Sequence, residues 1–174
     1  MIGSQRKISG EGFRYDADGQ MACYIIHGFT GSTYEMNELG KYMASQGITA
    51  VADTLPGHGT SPEDCNTKVY QDWIDSVQKG FDRLSAEKEE VFVVGFSLGG
   101  ALTLKLAMER DIPGIVLYAP IIKHKKWYAN GTRVSLNNND VFSDWDQGTG
   151  STTQLLILKL NRANPTRKNS LCLI

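Results

Sequence analysis

One stretch constrains this chain more than any other. A uniformly apolar run, Val91-Phe92-Val93-Val94, leads straight into Gly95-Phe96-Ser97-Leu98-Gly99-Gly100 and on into Ala101-Leu102-Thr103-Leu104. A short apolar run without polar alternation predicts a strand buried on both faces, as in a parallel sheet covered by helices. A glycine-flanked serine between that strand and a helix predicts a sharp turn that holds the hydroxyl clear of the backbone. The glycines leave room for strand and helix to close around the turn. The helix N-terminus behind it offers N–H groups to a developing oxyanion. G-x-S-x-G alone is a common accident, and the plain alternative is an ordinary Gly-rich turn. Its setting between strand and helix makes Ser97 the candidate nucleophile.

The same rhythm extends in both directions. Residues 21–26 (MACYII), 48–53 (ITAVAD) and 115–119 (IVLYA) have the composition of strands. A helix is expected from Tyr34, with Leu39, Tyr42 and Met43 on one face and Gly47 at its C-terminal cap. Tyr70, Trp73, Ile74, Val77, Phe81 and Leu84 recur at helical spacing, so their aromatics are expected in the core. Strands alternating with helices predict the α/β class: an open, mostly parallel sheet with helices on both faces.

Two further loops sit where chemistry gathers. His27-Gly28-Phe29-Thr30-Gly31 follows the first clear strand, and such a loop supplies the second oxyanion donor. The expected pair is therefore the backbone N–H groups of Phe29 and Leu98. His27 is expected to brace this loop by hydrogen bonds. Leu55-Pro56-Gly57-His58-Gly59-Thr60-Ser61-Pro62 is dense in Gly and Pro and reads as loop. It lies at the strand edge where ligands collect in open α/β sheets. His58 is expected to pack there rather than act as a base.

In this order and spacing HGFTGS, LPGHGTS and GFSLGG resemble the bacterial carboxylesterase and monoacylglycerol-lipase branch of the α/β-hydrolases, across residues 10–122. The resemblance implies an incomplete α/β-hydrolase fold with Ser97 as nucleophile and Phe29 and Leu98 forming the oxyanion hole. His27, Gly28, Phe96 and His58 would stand on the substrate side. The implied substrates are small-molecule carboxylic esters or acylglycerols with an apolar acyl group, and no metal or organic cofactor is implied. Thioesterase, peptidase and C–C hydrolase chemistries share the same elbow.

The triad of such enzymes runs Ser, then Asp or Glu, then His. His124 is the one histidine after Ser97, and it directly follows the IVLYAP strand, where a cap would begin. Asp140, Asp144 and Asp146 lie in a polar stretch with no strand before them. No triad acid or base is assigned. A serine hydroxyl without a base is a poor nucleophile, so this chain is expected to turn over weakly or not at all. A non-catalytic acyl-ligand-binding module and an inactive hydrolase fragment are the alternatives. Residues 1–122 are expected to form the N-terminal part of the hydrolase core. Residues 123–174 would hold the start of a cap and an atypical, Asn/Ser/Thr-rich tail, with disorder one expectation for it. From Val134 onward the sequence is expected to be foreign to the family, as a frameshift or truncated reading frame would leave it. Four strands alone would leave an open edge beside the last.

Composition narrows the rest. The formal net charge of -1 offers no basic excess for nucleic acid. No run approaches the ~18 apolar residues of a transmembrane helix, and the N-terminus lacks the apolar stretch of a signal peptide. The widely spaced cysteines Cys23, Cys65 and Cys172 form no CxxC pair. They point to reduced thiols in a cytoplasmic protein. The sequence carries no signal for oligomeric state.

Overall fold

A computed structural model describes residues 11–120 together with two strands, Leu155–Leu160 and Leu171–Leu173. The sheet is built around β2 (Met21–Ile26), β3 (Thr49–Ala52), β4 (Glu90–Phe96) and β5 (Gly114–Tyr118). These pair in parallel, β2 with β3 and β4, and β4 with β5. The register sets Cys23 beside Ala50 on one side and Phe92 on the other, and Ile26 beside Gly95. β2 is buried from Ala22 onward, as its unbroken apolar sequence requires.

Both edges of this parallel core carry antiparallel strands. β1 (Phe13–Tyr15) runs along β3 with Arg14 opposite Val51. β6 (Leu155–Leu160) runs along β5 with Val116 opposite Ile157, and β7 (Leu171–Leu173) continues beyond it. This corrects the expected open edge: β5 is paired from Gly114 to Tyr118. The apolar run LLILKL needed no βα rhythm because an antiparallel neighbour needs no crossover helix. Apart from β6 and β7, the expected cap and tail, with His124, Asp140, Asp144 and Asp146, lie outside the described residues.

The helices are α1 (Asn37–Ser45), α2 (Pro62–Asn66), α3 (Tyr70–Ser85) and α4 (Leu98–Ala107). α1 starts later than the sequence suggests. A 3-10 turn, Thr33–Met36, comes first, with the Ser32 hydroxyl accepting from the Tyr34 N–H. At its other end Gly47 takes φ 81, while Gly47 N–H bonds the Ala44 carbonyl and Ile48 N–H bonds that of Met43. This is the Schellman closure that favours glycine. Leu39 and Tyr42 remain exposed; Met36 and Met43 pack on the sheet instead, and Gly40 meets the Phe13 ring. α2 begins inside the stretch expected to be loop, with Ser61 as N-cap and Pro62 in the first turn.

Strand alternation divides the core. Ala22, Tyr24 and Ile26 face Ile74, Val77, Phe81 and Leu84 of α3 and Leu102 and Leu106 of α4. Cys23 and Ile25 join Ala50, Ala52 and Val94 beneath Met43 of α1 on the other side. Helices therefore cover both faces. A polar tie crosses the first face: the Tyr24 hydroxyl donates to Asp53 Oδ2 at 3.0 Å, and Arg83 Nη2 reaches both Asp53 oxygens at 3.0 and 2.9 Å. Because β2, β3 and β4 run the same way, the loops after Ile26, Ala52 and Phe96 emerge at one edge, which places the site.

Candidate active site

Ser97 stands between β4 and α4 with φ 53 and ψ −112. Side-chain-bearing residues rarely adopt such a conformation, so surrounding structure must hold it. Its N–H donates to the Tyr118 carbonyl of β5 at 2.9 Å, and its carbonyl accepts from the Gly100 N–H at 3.0 Å as α4 begins. The flanking glycines are explained by contact. A Cβ at Gly99 would strike the backbone carbonyls of Ile26 and His27, and one at Gly95 would strike the Gly99 carbonyl and the Thr103 hydroxyl. Thr103 itself donates to the Gly99 carbonyl at 2.8 Å. Strand and helix thus close around the serine as G-x-S-x-G requires.

The 27–31 loop lies directly against this elbow. A Cβ on Gly28 would come within 2.9 Å of the Phe96 ring and 3.2 Å of Ser97 Cβ. The loop closes as a turn, with Gly31 N–H on the Gly28 carbonyl at 3.2 Å and Thr30 at φ 60. That closure does not use the Phe29 N–H. The Leu98 N–H belongs to the first residue of α4, where helix geometry provides no intrahelical acceptor. The two amides expected to form the oxyanion hole therefore belong to segments that meet at Gly28 and Ser97. The Phe96 ring stacks on Tyr118, with centroids 5.2 Å apart.

His27 is fully buried. Its Nδ1 donates to the Gly28 carbonyl at 2.9 Å, and its Nε2 accepts from the Leu55 N–H at 3.0 Å. This pattern needs the neutral ring. Burial drives its pKa down to about 4, helped by neighbouring His58 and opposed by the bond to Gly28. His27 thus ties the 27–31 loop to the 55–61 loop and has no exposed surface left for a substrate. His58 is also buried, at 6% exposure. Its Nδ1 donates to the Pro56 carbonyl at 3.2 Å, and its Nε2 has no hydrogen-bond partner. Ser97 makes no side-chain cap bond to α4. With both His27 nitrogens engaged and His58 Nε2 unpartnered, neither described imidazole bonds the Ser97 hydroxyl.

Sequence reasoning missed Trp73 and Tyr118. Trp73 falls on the apolar stripe of α3, yet its indole N–H reaches the Pro56 carbonyl at 3.0 Å and its ring meets both Phe29 and His58. An indole N–H in a helical stripe is the signal that could have marked it, since such a group needs a partner when buried.

A mixed sheet with a parallel core, helices on both faces and a strained serine between strand and helix defines an α/β-hydrolase. The chain belongs to the hydrolase family described as serine aminopeptidase, S33, which matches residues 17–157. That match runs past residue 122 and past Val134, from which the sequence was expected to be foreign to the family, and reaches into β6; up to residue 157 that expectation is overturned. Over 110 residues the chain is 39% identical to the thermostable monoacylglycerol lipase of Bacillus sp. (strain H-257), covering 63% of this chain and 44% of the lipase. Over 99 residues it is 38% identical to a carboxylesterase of Bacillus subtilis (strain 168), covering 56% and 40%. The chain thus spans less than half the length of these curated relatives. A structure from work on the metagenome-derived lipolytic enzymes LipS and LipT superposes with a TM-score of 0.55 at 30% identity, covering 57% of this chain and 40% of that one. The monoacylglycerol lipase of Paleococcus ferrophilus shares the fold, with a TM-score of 0.54 at 22% identity and coverage of 63% and 42%. Among the described residues no helix is long and apolar enough to cross a membrane.

Proposed function

We propose that the chain carries the nucleophile and oxyanion hole of a carboxylic-ester hydrolase acting on small esters with apolar acyl groups, acylglycerols among them. The observation that carries this is the strained Ser97 with the Gly28 backbone packed against it. The lipase and carboxylesterase relatives support the ester as substrate. Ser97 Oγ attacks the acyl carbon while a base takes its proton and hands it on to the departing alkoxide. The alcohol leaves, and water then releases the acid from the acyl-serine. The Phe29 and Leu98 N–H groups hold the oxyanion, each contributing about 3 kcal/mol to the transition state. His27 and His58 support the loops, while Gly28 and Phe96 border the reacting serine. The free thiols of Cys23 and Cys65 accord with a cytoplasmic location.

The described imidazoles do not serve as the base, and losing the base costs about a million-fold in kcat in a well-studied serine hydrolase. With no base assigned among the described residues, slow turnover is the expectation, and its dependence on Ser97 is the test. A short-chain p-nitrophenyl ester assay should show residual hydrolysis that Ser97→Ala removes, and a fluorophosphonate should label wild type alone. Equal rates and equal labelling in the two proteins would sink the proposal. Among the described residues the Ser97 hydroxyl caps no helix N–H and meets no imidazole, which favours a second reading, an acyl-ligand-binding module without turnover. Saturable fatty-acid or acylglycerol binding with no Ser97-dependent hydrolysis would establish it.

A further inference from the structure

We infer that Trp73 is a positioning residue for the oxyanion loop, acting through the rings of Phe29 and His58; this rests on the proposal that the Phe29 N–H is an oxyanion donor. Three aromatic rings form a triangle of edge-to-face contacts. Phe29 lies 5.7 Å from His58 and 6.0 Å from Trp73, and His58 lies 5.9 Å from Trp73. The Pro56 carbonyl pins two of them, accepting from Trp73 Nε1 at 3.0 Å and from His58 Nδ1 at 3.2 Å. The turn that carries Phe29 is closed by one backbone bond, Gly31 to Gly28, across a residue with positive φ. Such a turn does not by itself fix where the Phe29 amide points. His27 holds it from inside, through the Gly28 carbonyl. The Phe29 ring, itself 51% exposed, is held from outside by Trp73 and His58. Trp73 rides on α3, a 16-residue helix anchored in the core by Ile74, Val77 and Phe81. A rigid helix thus reaches the oxyanion donor through a chain of rings.

The test compares wild type, Trp73→Leu and Trp73→Phe in the full chain with two readouts. The first is amide exchange at Gly31, whose N–H closes the turn, measured by NMR against Tyr24 and Leu102 in the core. Trp73→Leu should speed Gly31 exchange by about tenfold relative to those core amides, and Trp73→Phe, which keeps a ring, should restore most of the protection. Gly31 exchange that is unchanged, or that rises only in step with the core, overturns the inference. The second readout is the rate of fluorophosphonate labelling of Ser97. A misplaced donor should slow the bond-forming step by about tenfold or more while saturation by the probe is unaltered. Labelling that stays at the wild-type rate while Gly31 is deprotected overturns the link to catalysis. Wild type that resists labelling defeats the esterase proposal instead, and Gly31 exchange alone then decides whether the brace exists.

Discussion

Replacing Ser97 by glycine separates strain from chemistry. At φ 53 and ψ −112 the residue occupies a region where a Cβ is unfavourable, and such residues cost roughly 1–3 kcal/mol. Glycine removes the Cβ but adds freedom to the unfolded chain, which costs about 0.5–1 kcal/mol. The difference is a net stabilisation of about 1 kcal/mol. The hydroxyl adds little to this sum because it makes no cap bond to α4. The backbone bonds of residue 97 to Tyr118 and Gly100 survive the change. Ser97→Ala keeps the Cβ and should leave stability about where it was. Urea denaturation of wild type, Ser97→Ala and Ser97→Gly decides the matter, provided the m-values agree. In a chain of this size the gain corresponds to about 2–4 °C in Tm. Both variants should lose any Ser97-dependent hydrolysis, yet only glycine should stabilise. A Ser97→Gly protein no more stable than Ser97→Ala would refute the account of a strained elbow.

Gly99→Ala should destabilise by at least about 1–3 kcal/mol in urea, because the added methyl meets the Ile26 and His27 carbonyls and neither strand end can move aside cheaply. Tyr24→Phe should cost about 1.5 kcal/mol by the same measurement, since it deletes a donor to the Asp53 carboxylate, itself held by Arg83. His27 predicts the pH response: its folded pKa of about 4 lies below the ordinary 6.5, so between those values the unfolded chain takes up a proton that the folded chain refuses. The associated stability, up to about 3 kcal/mol, is complete above pH 6.5 and is lost as pH falls toward 4; urea midpoints across that window should show it in wild type and lack it in His27→Asn.

How much of this was legible depends on the range over which each feature is specified. β2 and β4 announce themselves because burial on both faces leaves an unbroken apolar run. The elbow is legible because strand, glycines, serine and helix follow one another without a gap. α2 could have been found: Ser61-Pro62-Glu63-Asp64 offers an N-cap, a first-turn proline and early acidic residues, but the glycines before it draw the eye to a loop. β1 could not, because Phe13-Arg14-Tyr15 is too short to show a period and owes its state to β3. The sheet-facing side of α1 was also hidden, since Leu39 and Tyr42 look like core in a helical wheel and yet face solvent. Trp73 matched its expected stripe, but nothing along α3 says that a loop 17 residues upstream supplies the acceptor for its indole.

The site shows the same division more sharply. Each loop's local shape is fixed by nearby residues: the Gly28–Gly31 turn, the Pro and Gly of the 55–61 segment, the glycines around Ser97. The strain at Ser97, in contrast, is sustained from a distance. Its N–H is held by the Tyr118 carbonyl at the end of β5, and Tyr118 is paired across the sheet with Leu155 of β6. The strand that covers the β5 edge therefore also steadies the acceptor that keeps the serine in place. An edge strand looks remote from the site in the sequence, but one carbonyl separates it from the proposed nucleophile. Weakening the β5–β6 pairing would be felt first at the elbow, where the backbone is strained, and only afterwards in the core, where burial is deepest.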